Sequence, residues 1–309
     1  MTEQTHRPPS SQIHPHTTPL HSFFFTSAGL RLHAIDAGPP NGPVVILLHG
    51  FPEFWRGWQQ QITPLAEAGY RVIVPDQRGY NLSAKPPECR AYGVDRLGGD
   101  VLALLDHLGV EQACIAGHDF GAAVLWWLLL FHPQRIQRAA ILNVPHPWVF
   151  SRKLRTSLRQ LRKSWYVFAF QIPALPQWQL ARHDYQPLVQ SLVASSRPGT
   201  FHPADLEAYR KAWAVPGSLR AMIHWYRAAL RYGFPAPRPT DGKVAVPVLI
   251  LWGEEDRFLS REMATESLAF CTRGKCRLFP GVSHWIQHEE PGLVANELLA
   301  HFAPALTAG

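Results

Sequence analysis

The sequence lacks the features that mark several classes of protein. Only 17% of its 309 residues are charged and 46% are apolar, which excludes an intrinsically disordered chain. Its longest apolar run, from Ala122 to Phe131, is far shorter than the about 20 residues that a membrane-spanning helix needs. A chain of this length buries enough surface to fold as one large domain without a disulfide or a structural metal.

Cysteine is scarce, and its four positions show no CxxC spacing of a metal site or redox motif. They are Cys89, Cys114, Cys271 and Cys276. The first 22 residues contain no apolar segment of a secretory signal, and we expect a flexible N-terminal tail over residues 1–22. Reduced thiols and a cytoplasmic location are the expectation for such a chain. His14 and His16 have no partner ligands nearby, so no metal site is expected there.

The net charge of +7 is concentrated in one segment, Ser151–Lys163, which carries basic residues and no acidic ones. Leu154, Leu158 and Leu161 recur within it at i, i+4 and i+7, which predicts a basic amphipathic helix. We expect its basic face to be solvated and its leucines to dock on the protein. Contact with an anionic membrane surface is the alternative. Nucleic-acid binding is not expected, because no basic stripe with interleaved aromatic residues follows.

Short apolar runs alternate with helical patterns along most of the chain, which predicts an α/β sheet covered by helices on both faces. The expected buried parallel strands are Val44–Leu48, Arg71–Val74, Ala113–Ala116, Ala139–Leu142, Pro247–Trp252 and Lys275–Phe279. Phe23–Phe25 and Arg31–Ile35 are expected to form an antiparallel hairpin at the sheet edge. Helices are expected at Asp95–Leu108 and Leu293–Phe302.

The alternation of strands and helices stops between Pro145 and Thr240, where the sequence is helical and rich in Trp, Pro and Arg. A sheet interrupted in this way indicates one core domain with a helical cap inserted into it. The predicted division is a core of residues 23–144 and 241–309, and a cap of residues 145–240.

Three candidate catalytic residues each follow a predicted strand. Asp119 is the middle residue of GHDFG at 117–121, and Gly-x-nucleophile-x-Gly at a strand-to-helix turn is a nucleophile elbow. Asp256 follows the strand that ends at Trp252, and His284 follows the strand that ends at Phe279. The carboxyl ends of parallel strands are where such sheets build their sites. The order nucleophile, acid, histidine is the order found in α/β-hydrolases.

Backbone amides near Asp119 are candidates for an oxyanion hole. The N–H groups of Phe51, in the HGFP sequence that ends at Pro52, and of Phe120 are predicted to form it. The bond between Phe51 and Pro52 is of the X–Pro type, in which the cis form costs little. Phe51, Phe120 and Trp285 lie beside the motifs and are the predicted substrate contacts, which favours an apolar substrate.

Several stretches resemble the epoxide hydrolases of the α/β-hydrolase superfamily, and the resemblance covers essentially the whole chain after the tail. They are HGFPEFWRGW from His49, PDQRGYNLSAKP from Pro75, GHDFGA from Gly117 and SHWIQHEEP from Ser283. Two more lie in the predicted cap: WYVFAFQIP from Trp165 and HWYR from His224 are similar to the family segments that carry the ring-opening tyrosines.

This resemblance implies that Tyr166 and Tyr226 protonate the epoxide oxygen while Asp119 attacks a ring carbon and forms an ester. His284, held by Asp256, would then activate the water that hydrolyses this ester. The implied substrates are a small apolar epoxide and water, the product is a vicinal diol, and neither a cofactor nor a metal ion is expected. The sequence leaves the oligomeric state open.

Haloalkane and haloacid dehalogenases use the same Asp–His–acid chemistry and are the alternative. They stabilise a departing halide with Trp or Asn donors and need no pair of proton-donating tyrosines. Asn143 stands where some haloalkane dehalogenases carry their acid, which leaves Asp256 as the predicted acid. Phe120 replaces the Trp that is more frequent in epoxide hydrolases, which keeps the backbone N–H and changes the pocket shape. A catalytically silent binding module is a third hypothesis, although such modules lose triad members.

Overall fold

Eight strands form a single mostly parallel sheet in a computed structural model that describes residues 18–234 and 243–303. The strand order is β1-β2-β4-β3-β5-β6-β7-β8. The strands are β1 Leu20–Ser27, β2 Leu30–Ala37, β3 Val44–Leu48, β4 Arg71–Pro75, β5 Ala113–His118, β6 Ile136–Leu142, β7 Val248–Gly253 and β8 Gly274–Phe279. The predicted α/β fold is confirmed, and each predicted parallel strand is present.

The predicted edge hairpin is also present, because β1 pairs antiparallel with β2 and has no further neighbour in the sheet. β1 begins at Leu20, which pairs with Ala37. The predicted boundary of the tail, at residue 22, therefore lies two residues inside this strand. Residues 1–17, with His14 and His16, lie outside the described residues.

Helices cover both faces of the sheet. They are α1 Gln59–Glu67, α2 Val94–His107, α3 Phe120–Phe131, α4 Pro147–Thr156, α5 Leu158–Lys163, α6 Trp165–Ala169, α7 Leu175–Ser195, α8 Pro203–Ala214, α9 Ser218–Tyr232, α10 Glu262–Ser267, α11 Ile286–Glu289 and α12 Pro291–Phe302. Strand side chains alternate between two apolar clusters, with Ile46 in one and Val45 in the other. None of the described helices is long and apolar enough to cross a membrane.

Six helices, α4 to α9, follow β6 in the chain and precede β7, which pairs directly with β6; we call them the inserted helices. The predicted end of the cap, at residue 240, lies outside the described residues. α7 is itself interrupted, because residues 182–185 have non-helical backbone angles. All four cysteines are free thiols, and Cys114 is buried in β5 as its apolar surroundings predict.

The prediction of one continuous helix over Ser151–Lys163 is wrong. The chain leaves the helical conformation at Ser157, with φ −125° and ψ 107°, and the Ser157 hydroxyl accepts the N–H of Gln160 at 3.2 Å to begin α5. The leucines do not dock as expected either, because Leu158 is 74% exposed and Leu161 is 39% exposed.

Candidate active site

Asp119 occupies the turn between β5 and α3, with φ 49° and ψ −126°. A positive φ is costly for a residue with a Cβ, and the surrounding chain holds it in place by close packing. A Cβ on Gly117 would lie 2.6 Å from the carbonyl oxygen of Gly121, and a Cβ on Gly121 would overlap the carbonyl oxygen of Leu48. The two glycines therefore permit the tight turn that the sequence predicts.

The structure brings the three predicted triad residues together. The Nδ1 of His284 lies 2.7 Å from Oδ2 of Asp256, and its Nε2 lies 3.5 Å from Oδ2 of Asp119. The imidazole therefore stands between two carboxylates, of which Asp256 orients the ring and Asp119 faces its other nitrogen.

Asp256 is held by several donors. Its Oδ1 accepts the backbone N–H groups of Phe258 at 2.7 Å and Leu259 at 2.9 Å, and its Oδ2 accepts the side-chain amide of Asn143 at 2.8 Å. The Lys163 ammonium donates to the Asp256 backbone carbonyl at 2.5 Å. Asn143 and Lys163 thus both support the loop that carries Asp256.

The two carboxylates and His284 shift one another's pKa. Burial alone would raise the pKa of Asp119 and of Asp256, but their hydrogen bonds and charge interactions with His284 bring both below the ordinary value. Burial alone would lower the pKa of His284, but the charges of Asp256 and Asp119 raise it to about 10. In the resting site these interactions favour an imidazolium between two ionised carboxylates.

One oxygen of Asp119 already lies in the predicted oxyanion hole. The Phe51 N–H donates to Oδ1 of Asp119 at 2.8 Å. The N–H of Phe120 is the first of α3, and the first N–H groups of a helix have no intrahelical acceptor. Gly50 allows this approach, since a Cβ there would overlap the Asp119 side chain. The bond from Phe51 to Pro52 is cis.

The two predicted tyrosines meet above the nucleophile. Tyr166 lies on α6 and Tyr226 on α9, and their rings pack edge to face with centroids 5.7 Å apart. Tyr226 also packs edge-on against Phe120 at 4.7 Å and Phe51 at 5.2 Å. Burial, and next the charge of Asp119, raise the pKa of both phenols well above the ordinary value, so both stay protonated. Among the described residues neither hydroxyl has a hydrogen-bond partner.

Further aromatic rings enclose this space. Phe170 packs against Tyr226 at 4.9 Å, and Phe258 packs against both Tyr166 at 5.7 Å and His284 at 5.2 Å. Trp285, the third predicted substrate contact, lies beside His284. It is 3% exposed, packs edge-on against His284 at 5.2 Å, and donates its indole N–H to the Ser195 hydroxyl at 2.9 Å. Its contact with substrate stays a prediction.

A buried network beneath the histidine was missed by the sequence analysis. Glu53 accepts hydrogen bonds from the Tyr209 hydroxyl at 2.8 Å and from the Gln287 side-chain amide at 3.1 Å. Its Oε1 lies 2.6 Å from Nε2 of His288, and Oε2 lies 3.3 Å from Nδ1 of His118. Burial alone would raise the pKa of Glu53, but His288 and His118 hold it well below the ordinary value.

This network reaches His284 through His118. The Nε2 of His118 lies 2.9 Å from the His284 backbone carbonyl, and the two rings are 4.7 Å apart. Glu53 and His118 both stand inside motifs quoted above. Their partners are far away in the sequence, however, and no local periodicity could have placed them together.

Comparison with known proteins identifies the family and the fold. A family model described as the alpha/beta hydrolase fold matches residues 43–291. The chain is 43% identical to the AB hydrolase superfamily protein YfhM of Bacillus subtilis, over 90% of this chain and 96% of that protein. It is 33% identical to Epoxide hydrolase 2 of Caenorhabditis elegans, over 88% of this chain and 77% of that protein.

Solved structures show the same likeness. Epoxide hydrolase A from Mycobacterium thermoresistibile superposes with a TM-score of 0.83 at 26% identity, covering 92% of this chain and 98% of that one. The epoxide hydrolase of Bacillus megaterium superposes with a TM-score of 0.82 at 28% identity, covering 91% and 100%. The chain therefore belongs to the epoxide hydrolase family of the α/β-hydrolase superfamily.

Proposed function

We propose that the protein hydrolyses an apolar epoxide to a vicinal diol in two steps, through a covalent ester on Asp119. The observation that carries this proposal is the position of the Asp119 carboxylate. The Phe51 N–H holds one of its oxygens, His284 faces the other, and Tyr226 packs on the two phenylalanines beside it. A carboxylate is already ionised at neutral pH and needs no base to become a nucleophile.

In the first step Oδ2 of Asp119 attacks a ring carbon, since Oδ1 is held by the Phe51 N–H. The C–O bond of the epoxide breaks as the new ester bond forms, and Tyr166 or Tyr226 donates its proton to the departing oxygen. An alkoxide is about as basic as hydroxide, near pKa 15.7, whereas an ordinary phenol is near 10. The raised pKa of the two tyrosines reduces this difference but guarantees that the proton is present.

Ester formation also prepares the second step. It removes the negative charge of Asp119, which is one of the two charges that raise the pKa of His284. The imidazolium can then return its Nε2 proton to the phenolate left by the first step. Neutral His284 becomes the general base for the water that attacks the ester carbonyl.

The second step regenerates the resting site. Oδ1 takes the negative charge of the tetrahedral intermediate, facing the N–H groups of Phe51 and Phe120, and loss of one such donor typically costs about 3 kcal/mol. His284 passes the water proton to the leaving alkoxide, which becomes the second hydroxyl of the diol. The remaining proton on the Asp119 carboxylic acid returns to His284, so charges and protons balance over the cycle.

We also propose that the inserted helices form the cap of the active site. They carry Tyr166 and Tyr226 over a core that carries Asp119, Asp256 and His284. Phe51 and Phe120 are the proposed apolar walls at the reacting carbon. Phe170 and Phe258 extend the wall around the tyrosines.

A single-turnover reaction in oxygen-18 water tests the proposed function. With enzyme in excess over a terminal aryl epoxide, the first diol should contain no heavy oxygen, because both of its oxygens come from the epoxide and Asp119. The heavy atom should appear in a peptide that contains Asp119. Heavy oxygen in the first diol would contradict the ester mechanism, and halide release from a haloalkane without diol formation would favour a dehalogenase.

A further inference from the structure

The outer side of the inserted helices presents an apolar surface to solvent. We call it the outer surface, and its residues are Leu158, Leu161, Trp165, Phe168, Ile172 and Trp178. The first four recur every three or four positions along α5 and α6, and Ile172 follows shortly after the end of α6. Trp165 is 66% exposed and Trp178 is 59% exposed.

The orientation of these helices is fixed by their polar residues, which point inward. Gln160 is fully buried and donates its side-chain amide to the Phe258 carbonyl at 2.8 Å. Ser164 is also buried, and Lys163 binds the Asp256 carbonyl. The segment is therefore amphipathic in the reverse sense, with its polar side against the protein and its apolar side outward.

The segment that carries most of the outer surface is basic, and part of its charge is paired with Glu262 and Glu266 of α10. Residues 147–183 contain seven Lys or Arg residues and no Asp or Glu. Arg152 and Lys153 are paired with Glu266 on α10. Arg155 and Arg162 are exposed, and neither has an ion pair with any residue in the described parts of the chain.

We propose that the outer surface docks on an anionic lipid membrane, and this inference rests on the proposed function. Tryptophans beside arginines are typical of surfaces that lie in a membrane interface, where the ring enters the acyl boundary and the cation meets the headgroups. A second copy of the chain fits less well, because a two-fold contact would bring the same positively charged surface against itself.

This docking places the membrane close to the active site. α6 carries Trp165 and Phe168 on its exposed side and Tyr166 on the side that meets Tyr226. One short helix therefore separates the outer surface from the proposed proton donors. An apolar epoxide dissolved in lipid would then be concentrated next to the helix that carries Tyr166.

Vesicle sedimentation tests this inference. The wild-type protein should sediment with vesicles of phosphatidylcholine and phosphatidylglycerol, less with phosphatidylcholine alone, and less again at high salt. W165S/W178S and R155Q/R162Q should each lower the partition coefficient about tenfold or more. The matched controls are F131S, an exposed aromatic on α3, and K243Q/K275Q, which removes the same charge from two exposed lysines outside the inserted helices.

Two results would overturn the inference. One is wild-type protein that does not bind anionic vesicles, or that binds them no better than W165S/W178S. The other is a concentration-dependent dimer in size-exclusion chromatography that W165S/W178S dissociates, which would assign the surface to a second copy. Diol formation from a water-soluble epoxide without vesicles tests the proposed function separately, and W165S/W178S should keep it at the wild-type rate.

Discussion

The two halves of the active site are held in place by different forces. The sheet side consists of Asp119, Asp256 and His284, which follow strands of the sheet, and hydrogen bonds hold their side chains in place. On the helical side, Tyr166 and Tyr226 are held by ring packing and their hydroxyls have no partner among the described residues. The comparison indicates that the sheet side carries preorganised charge, whereas the helical side carries two unpartnered hydroxyl groups, which the proposed mechanism uses as proton donors.

The largest expected effect comes from the sheet side. D119N should abolish turnover, at least a thousandfold, because a neutral amide is a poor nucleophile toward carbon. Steady-state diol formation measures this effect. D36N is the matched control, since Asp36 lies on β2 and pairs with Arg71 instead of facing the site. Activity of D119N near that of D36N would remove Asp119 as the nucleophile.

The helical side should show redundancy instead. Y166F and Y226F should each slow ester formation about tenfold, whereas Y166F/Y226F should slow it by a factor of about a thousand, because either phenol can still donate a proton in the single variants. Rapid-quench measurement of the ester reports this step alone. The control is Y232F, an exposed tyrosine at the end of α9. If the loss of rate in the double variant were only the product of the two single losses, the tyrosines would have separate roles.

The buried network beneath His284 should act on the second step more than on the first. E53Q removes the charge that faces His118 and His288 but keeps an oxygen for the Tyr209 hydroxyl. Breaking such a buried pair should cost about 3 kcal/mol in the free energy of unfolding, which lowers Tm. We expect ester hydrolysis to slow about tenfold while ester formation changes little.

E266Q, which removes a carboxylate near the surface of α10, is the control for E53Q. An equal loss in both steps would show that Glu53 acts only through stability. A Tm unchanged from that of E266Q would show that the charge of Glu53 is not needed in the fold.

The smallest expected effect is that of pH, which should change the rate of ester hydrolysis more than the rate of ester formation. Asp119 has a lowered pKa and both tyrosines have raised ones, so ester formation should change little between about pH 5 and pH 8. Hydrolysis requires neutral His284. The charge of Asp256 still raises the pKa of this histidine once Asp119 is esterified, so hydrolysis should slow as the pH falls and ester should accumulate. Rapid-quench rates measure both, and hydrolysis that accelerates at low pH would contradict His284 as the base.

The same comparison shows what a sequence can reveal about this molecule. The sheet side is encoded locally: Val44–Leu48 is a continuous apolar run, and Asp119 stands between glycines that permit its turn. Tyr166 and Tyr226 have no such local mark, and only the family resemblance identified them.

The remaining differences arise from contacts between distant parts of the chain. After the break at Ser157, Leu158 and Leu161 face solvent instead of the protein. Helical periodicity identifies the two faces of a helix but does not indicate which of them is buried. The Glu53 network joins residues from four separate segments. Its members carry polar side chains that a sequence reader assigns to the surface.

The most direct test of the account is the mass of intact H284Q protein after incubation with an epoxide. The account predicts a mass increase equal to one epoxide molecule, because Asp119 still attacks while the general base for hydrolysis is missing. The adduct should map to the peptide that contains Asp119 and be absent from D119N/H284Q. An H284Q protein that binds the epoxide yet shows no adduct would contradict the covalent mechanism.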